Sequence, residues 1–273
     1  MGKKSSIFTP GLTIYPPGDT LGFMKTPMLP PVMLLPILMI LLVSSCTSDQ
    51  EVLLKADGSG RSRIEIELHP FFVHYLRDLT AGLGDPLENE ADFRIFDEYR
   101  IAASFNRIDG LLLEDFRRLK PGHIVISASF SNPAGVLPLP ADPAAPPVLD
   151  LKDHGEGSHT LFLNLTTRNI DSFYGLLGVE EQQNMLTFGP QKDPLSEDEY
   201  VDMMVYAMGT YADPKELDRI LRRQRVDIRF EVEGTVTAVE GMELREGAAV
   251  VSLPFLKPAT LAEPIRLSLT WRE

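Results

Sequence analysis

The chain has 273 residues, 26 basic side chains against 39 acidic ones, a formal net charge of −13 and a single cysteine. Such a surface repels phosphate backbones and anionic headgroups, which excludes nucleic acid as a partner and electrostatic docking as the means of reaching a membrane. One cysteine excludes an intramolecular disulfide, so the fold must be held by its apolar core, for which this length is ample.

The first 45 residues read as a leader. The only long apolar run, 32–43, spans twelve residues and carries Pro36, too short for a transmembrane helix of about 20 apolar residues. It fits the h-region of a secretory signal. Val43-Ser44-Ser45-Cys46 follows at once and resembles the lipobox of bacterial lipoproteins. That resemblance implies cleavage between Ser45 and Cys46, with acyl chains on Cys46. It covers the leader alone. Two starts remain open: a signal of 45 residues, or translation from Met24 with Lys25 as the positive n-region. Two or three acyl chains hold a protein stably where one holds it marginally, so the expected address is a bacterial envelope membrane, on its periplasmic or outward side.

After a lipidated tether over 46–50, residues 51–273 are expected to form one domain. Residues 51–56 and 61–68 read as a hairpin closed by Asp57-Gly58-Ser59-Gly60, with Ser62, Ile64, Ile66 and Leu68 on one face. Pro70 opens a helix to about Leu79, and a second helix over 92–105 is expected to set Phe96, Tyr99 and Ala103 on one face. Residues 111–119 and 123–130 form a second hairpin. Six prolines in 133–147 deny a ladder its donors and predict an extended loop whose shortening changes stability little. Residues 148–152 and 158–166 flank the turn at 153–157. Thr167 can cap a short helix carrying Ile170, Phe173 and Leu177. Ser196-Glu-Asp-Glu199 is a capping box for a helix over 200–211, and Asp213-Pro214 opens a third helix ending in Arg222, Arg223 and Arg225. Strands over 226–232, 235–239, 248–253 and 265–271 close the chain.

Hairpins at both ends with helices between them predict an α+β fold: one mainly antiparallel sheet, covered on one face by helices, in which the terminal strands meet. With Ala56-Asp57-Gly58-Ser59-Gly60 near the start and Leu267-Ser268-Leu269-Thr270-Trp271 at the finish, this order resembles the LppM-type lipoprotein domain. The resemblance implies envelope lipid binding and transfers no binding residue; the Pro-rich insert departs from the family's pattern.

Catalytic signatures are missing from the sequence. Neither G-x-S-x-G nor H-E-x-x-H occurs, Cys46 is the only thiol, and the two Gly-x-Gly triplets read as turns. Asp153, His154, Glu156 and His159 are the densest set of metal-ligand types, with a spacing that matches no standard site, so no metal and no cofactor are expected. His69 and His74 are expected to pack among Phe71, Phe72 and Tyr75. Tyr200, Met203, Met204, Ala207, Met208 and Tyr211 form a stripe that suits either a helix's core face or a pliable apolar ligand surface. Three functions follow in order of preference: a non-enzymatic, membrane-anchored envelope lipoprotein binding a protein partner or apolar ligand; a lipid carrier with a cavity lined by Phe173, Met204 and Met208; and an enzyme of unrecognised type.

Overall fold

Alternating side chains make the first hairpin. Strands β1 (Cys46–Leu54) and β2 (Gly60–Leu68) pair antiparallel from Cys46 opposite Leu68 to Leu54 opposite Gly60. Asp57 Oδ1 accepts from the Ser59 amide at 2.9 Å, and Gly58 takes the left-handed φ of 80° that the turn requires. The computed structural model describes residues 46–82, 96, 98–137, 139–140, 142–170, 172, 189–190 and 193–273.

The expected tether is thus a strand. Residues 46–50 pair with β2 on one side, and from Ser48 onward with a parallel strand, β7 (Arg225–Val232), on the other. Ser48 and Gln50 carry no apolar alternation, so the pattern by itself starts the strand late. Their inclusion follows from the two neighbours that satisfy their backbone groups.

The remaining elements are α1 (Pro70–Gly82), α2 (Glu98–Phe105), β3 (Leu111–Lys120), β4 (His123–Phe130), α3 (Pro133–Val136), β5 (Leu149–Gly155), β6 (Ser158–Leu165), α4 (Glu197–Met208), α5 (Pro214–Arg223), β8 (Thr235–Glu240), β9 (Glu243–Arg245), β10 (Ala248–Pro254), α6 (Leu256–Thr260) and β11 (Ile265–Arg272). The α+β class is as expected, but the strands form two sheets rather than one. Seven run in the order β3-β4-β2-β1-β7-β10-β9, and four in the order β5-β6-β11-β8. Among the described residues only the β1–β7 pairing is parallel.

Register places Ile126, Ile64, Gln50, Ile228 and Val251 in one row across the larger sheet, hence on one face. Two kinds of cover share that face. Over β2 and β4, Ile66, Leu68, Ile124 and Ile126 pack with Phe71, Tyr200, Met204, Leu217 and Leu221 of the helices. Over β1, β7 and β10, Val52, Leu54, Phe230 and Ala249 pack with Leu161, Leu269 and Trp271 of the smaller sheet. A third cluster joins Val251 to Leu165, Ile265 and Leu267.

Helix α4 starts where its capping box sets it: Ser196 Oγ accepts from the Glu199 amide, and Glu199 Oε2 accepts from the Ser196 amide at 2.9 Å. Replacing Ser196 by alanine is expected to cost about 1 kcal/mol, read as a thermal midpoint lowered by roughly 2–4 °C; an unchanged midpoint would mean the cap is idle. Helix α5 is capped by Asp213 Oδ1, which accepts from the amides of Lys215 and Glu216 at 2.9 and 3.2 Å.

Two local expectations change. Tyr99 and Ala103 are exposed, Tyr99 by 83%, and the buried face belongs to Phe96 and Ile101. Phe96 sits in a bend ahead of α2, so counting helical turns from it misplaces the face. The Pro-rich segment is not a free excursion. Its first residues form α3, capped by Asn132 Oδ1 on the Ala134 amide, and its second half is pinned where Asn169 Nδ2 donates to Pro146 O at 2.9 Å. The expected helix after Thr167 opens as turns through residue 170, and its positions 173–177 lie outside the described residues.

Candidate functional site

Cys46 begins β1, so whatever it carries meets the domain at one end of the larger sheet. Its pairing partner Leu68 donates its amide to Gly122 O, 2.7 Å away in the β3–β4 turn. Gly122 is needed there, because a Cβ would lie 2.7 Å from Val73 Cγ2 of α1. The row nearest this end runs through Lys120, His123 and Glu67, and on the far side of β1 through Arg225 and Pro254. Lys120 pairs with Glu67, while Arg225 donates to the hydroxyl and carbonyl oxygens of Ser252, both at 2.6 Å. Leu119 stands 55% exposed at the hairpin tip.

The outer face of the larger sheet is charged. Asp227, Asp49 and Glu65 occupy one row on adjacent strands. Partial burial, then the neighbouring carboxylates of Asp227, Glu65 and Glu51, raise Asp49 above the usual carboxylate range. Glu65 is held low by hydrogen bonds from His123, at 2.9 Å, and from Arg63. This lacework of opposite charges makes a solvated sheet face.

Of the residues expected to line an apolar cavity, two lie in the core. Met204 and Met208 are 0 and 1% exposed and belong to the packed core under the helices; neither lines either of the two clefts described below. Phe173 lies outside the described residues. Within the stripe Tyr200, Met204 and Met208 are buried, and beside it Val201 is buried too, while Tyr206, off the stripe, is 93% exposed. Burial holds the Tyr200 hydroxyl protonated well above the ordinary phenol range.

The histidines do not converge. His154 hydrogen-bonds Thr160 Oγ1 at 3.0 Å, while His159 packs against Trp271, with ring centroids 5.4 Å apart, and reaches Glu273 Oε1 at 3.3 Å. Among the described residues no group of three or more His, Cys, Asp and Glu side chains is placed to hold a metal. His69 packs on Phe71 with ring centroids 4.5 Å apart, as expected, and burial lowers its pKa; His74 is exposed rather than packed.

Among the described residues, clefts open on the surface at two places of note. One, of about 430 Å³, lies between Lys55, Arg61, Leu112 and Phe130, with Arg61 paired to Glu114 at 3.3 Å. The other, of about 330 Å³, is lined by Leu253, Lys257, Glu263, Ile265, Arg266 and Leu267. Sequence reading passed over this second set, because its charged members follow no motif and meet only through a turn. Leu261 adopts a left-handed φ of 49° at the end of α6 and reverses the chain into β11.

The chain is therefore an α+β protein of eleven strands in two mostly antiparallel sheets, with six helices among the described residues. No family model and no curated protein sequence matches it. Among solved structures it is similar to the folded domain of LppM from Mycobacterium tuberculosis, at 8% identity and a TM-score of 0.36, over 84% of this chain and 91% of that one. A likeness that distant carries no conclusion about function.

Proposed function

We propose that this protein is a lipid-anchored component of a bacterial envelope that works by binding a protein partner or an apolar ligand close to the membrane, and not by catalysis. The observation that carries the reading is the position of Cys46. The only cysteine follows an apolar run of signal length by two small residues and is at the same time the first residue of β1. Acyl chains on it would leave almost no free linker, so the Lys120–Arg225 end of the larger sheet would face the lipid. Binding is preferred to lipid carriage because Met204 and Met208 are committed to core packing.

The test is the Cys46→Ser variant, expressed with its leader beside the native chain and fed labelled fatty acid. The native chain is expected to incorporate label and to sediment with membranes. The variant should lose the label entirely and stay unprocessed or soluble. Equal labelling of both chains would overturn the anchor.

A further inference from the structure

The cleft between α6 and β11 gathers Lys257, Glu263 and Arg266. Lys257 is half-buried, and Glu263 and Arg266 are exposed. None of the three has a side-chain partner among the described residues, as is also true of Arg223 and Arg272, but only these three share a cleft with an apolar floor. Beside them lie Leu253, Ile265 and Leu267.

The backbone holds this arrangement open. The left-handed Leu261, a conformation unfavourable for a non-glycine residue, turns the chain so that Glu263 follows Lys257 onto the cleft rim. Gly241, at a φ of 70°, closes the opposite rim. A Cβ there would lie 2.7 Å from Arg266 O and 2.8 Å from Leu267 Cδ2.

Two cations, one carboxylate and an apolar floor describe the complement of a zwitterionic amphiphile. A phosphodiester oxygen accepts hydrogen bonds from the Lys257 ammonium and the Arg266 guanidinium, which recognises phosphate well. A primary ammonium on the same headgroup donates to Glu263, and the start of the acyl chains rests on Leu253 and Leu267. A headgroup with net negative charge would gain the two cations but suffer Glu263. We infer that this cleft binds the headgroup of an aminophospholipid, phosphate on Lys257 and Arg266 and amine on Glu263.

Position supplies the lipid, and here the inference rests on the anchor reading. Leu253 pairs with Val226, and Val226 with Ser48. Leu253, on the cleft's floor, therefore lies two strands across and two residues along from Cys46, about 12 Å at ordinary strand spacings. A headgroup held there belongs to the same leaflet as acyl chains on Cys46.

The experiment titrates the full chain, purified in a nonionic detergent, with dihexanoyl phosphatidylethanolamine, followed by calorimetry. Dihexanoyl phosphatidylglycerol, dihexanoyl phosphatidylcholine and free phosphoethanolamine are run in parallel. The ethanolamine lipid is expected to bind at least ten-fold more tightly than the other three. Lys257→Gln and Arg266→Gln should each weaken it ten-fold or more with unchanged thermal unfolding, while Glu263→Gln should abolish the preference over phosphatidylglycerol. Absent binding, equal binding of phosphatidylglycerol by the native chain, or indifference to all three substitutions would overturn the site. Free phosphoethanolamine binding as tightly as the lipid would overturn the membrane source. Fatty-acid incorporation at Cys46 is scored separately: label without headgroup binding sinks the cleft alone, and headgroup binding without label sinks the anchor alone.

Discussion

Trp271→Ala is expected to cost about 3–5 kcal/mol, the range for truncating a fully buried large aromatic side chain. Trp271 is 0% exposed and stands in the last strand, where it joins Leu161 and Leu269 of the smaller sheet to Val52, Leu54 and Phe230 of the larger one. No covalent staple shares the task, since the one cysteine cannot form an internal disulfide. Its indole Nε1 is buried and has no hydrogen-bond partner among the described residues, so the ring works by area and shape rather than by its N–H. Trp271→Phe removes that unpaired donor and keeps most of the apolar surface, and it should lose less than half of what alanine loses. Urea unfolding measures both, as a lowered midpoint at constant slope. An alanine variant within 1 kcal/mol of the native chain would mean that the two sheets are not packed through this residue.

The second large effect belongs to Asn169, which is fully buried and satisfied on both sides of its amide. Its Oδ1 accepts from the Thr166 amide at 2.8 Å and from the Thr166 hydroxyl at 3.1 Å, and its Nδ2 donates to Asn164 O at 2.7 Å and Pro146 O at 2.9 Å. Alanine there leaves the half-buried Thr166 amide and Asn164 carbonyl without their partner, together with the Pro146 carbonyl, and a buried or half-buried backbone group left unpaired costs about 1–3 kcal/mol; a total loss on the order of 3 kcal/mol is expected. Replacing residues 138–147 by a Gly-Ser link should reproduce much of it, because the link removes Pro146 O together with the buried Ala145. The exposed ion pair of Arg168 with Asp142, 2.7 Å, adds little. Loop-closure entropy alone gives only about 0.6 kcal/mol per doubling of length, so the two accounts differ by enough for thermal unfolding to separate them. A shortened chain as stable as the native one would restore the view of this stretch as a passive loop.

Local chemistry was legible in the sequence wherever one residue's neighbours decide its conformation. Alternation in Ile64, Ile66 and Leu68 and in Ile265, Leu267, Leu269 and Trp271 marks strands with one buried face, and both sets are buried or half-buried. Ser196 with Glu199, and Asp213 with Pro214, mark helix starts, because a side-chain acceptor must meet the free amides of the first turn. The apolar run ahead of Cys46 was equally plain. Which strand lies beside which was not legible, because ladder hydrogen bonds are made by the backbone and are nearly blind to side-chain identity. So β1 takes in residues 46–50, which have no apolar pattern, and β8 and β11 leave the sheet of β7, β9 and β10 for the other. The cleft was hidden for the same reason. Lys257, Glu263 and Arg266 are ordinary surface charges until the left-handed turn at Leu261 and the close approach at Gly241 gather them. The sequence by itself determined most of the elements, the buried faces of the strands and the lone cysteine behind an apolar run; only the tertiary structure, by burying one face of a seven-stranded sheet under two different covers, decided the neighbours and the gathered charges.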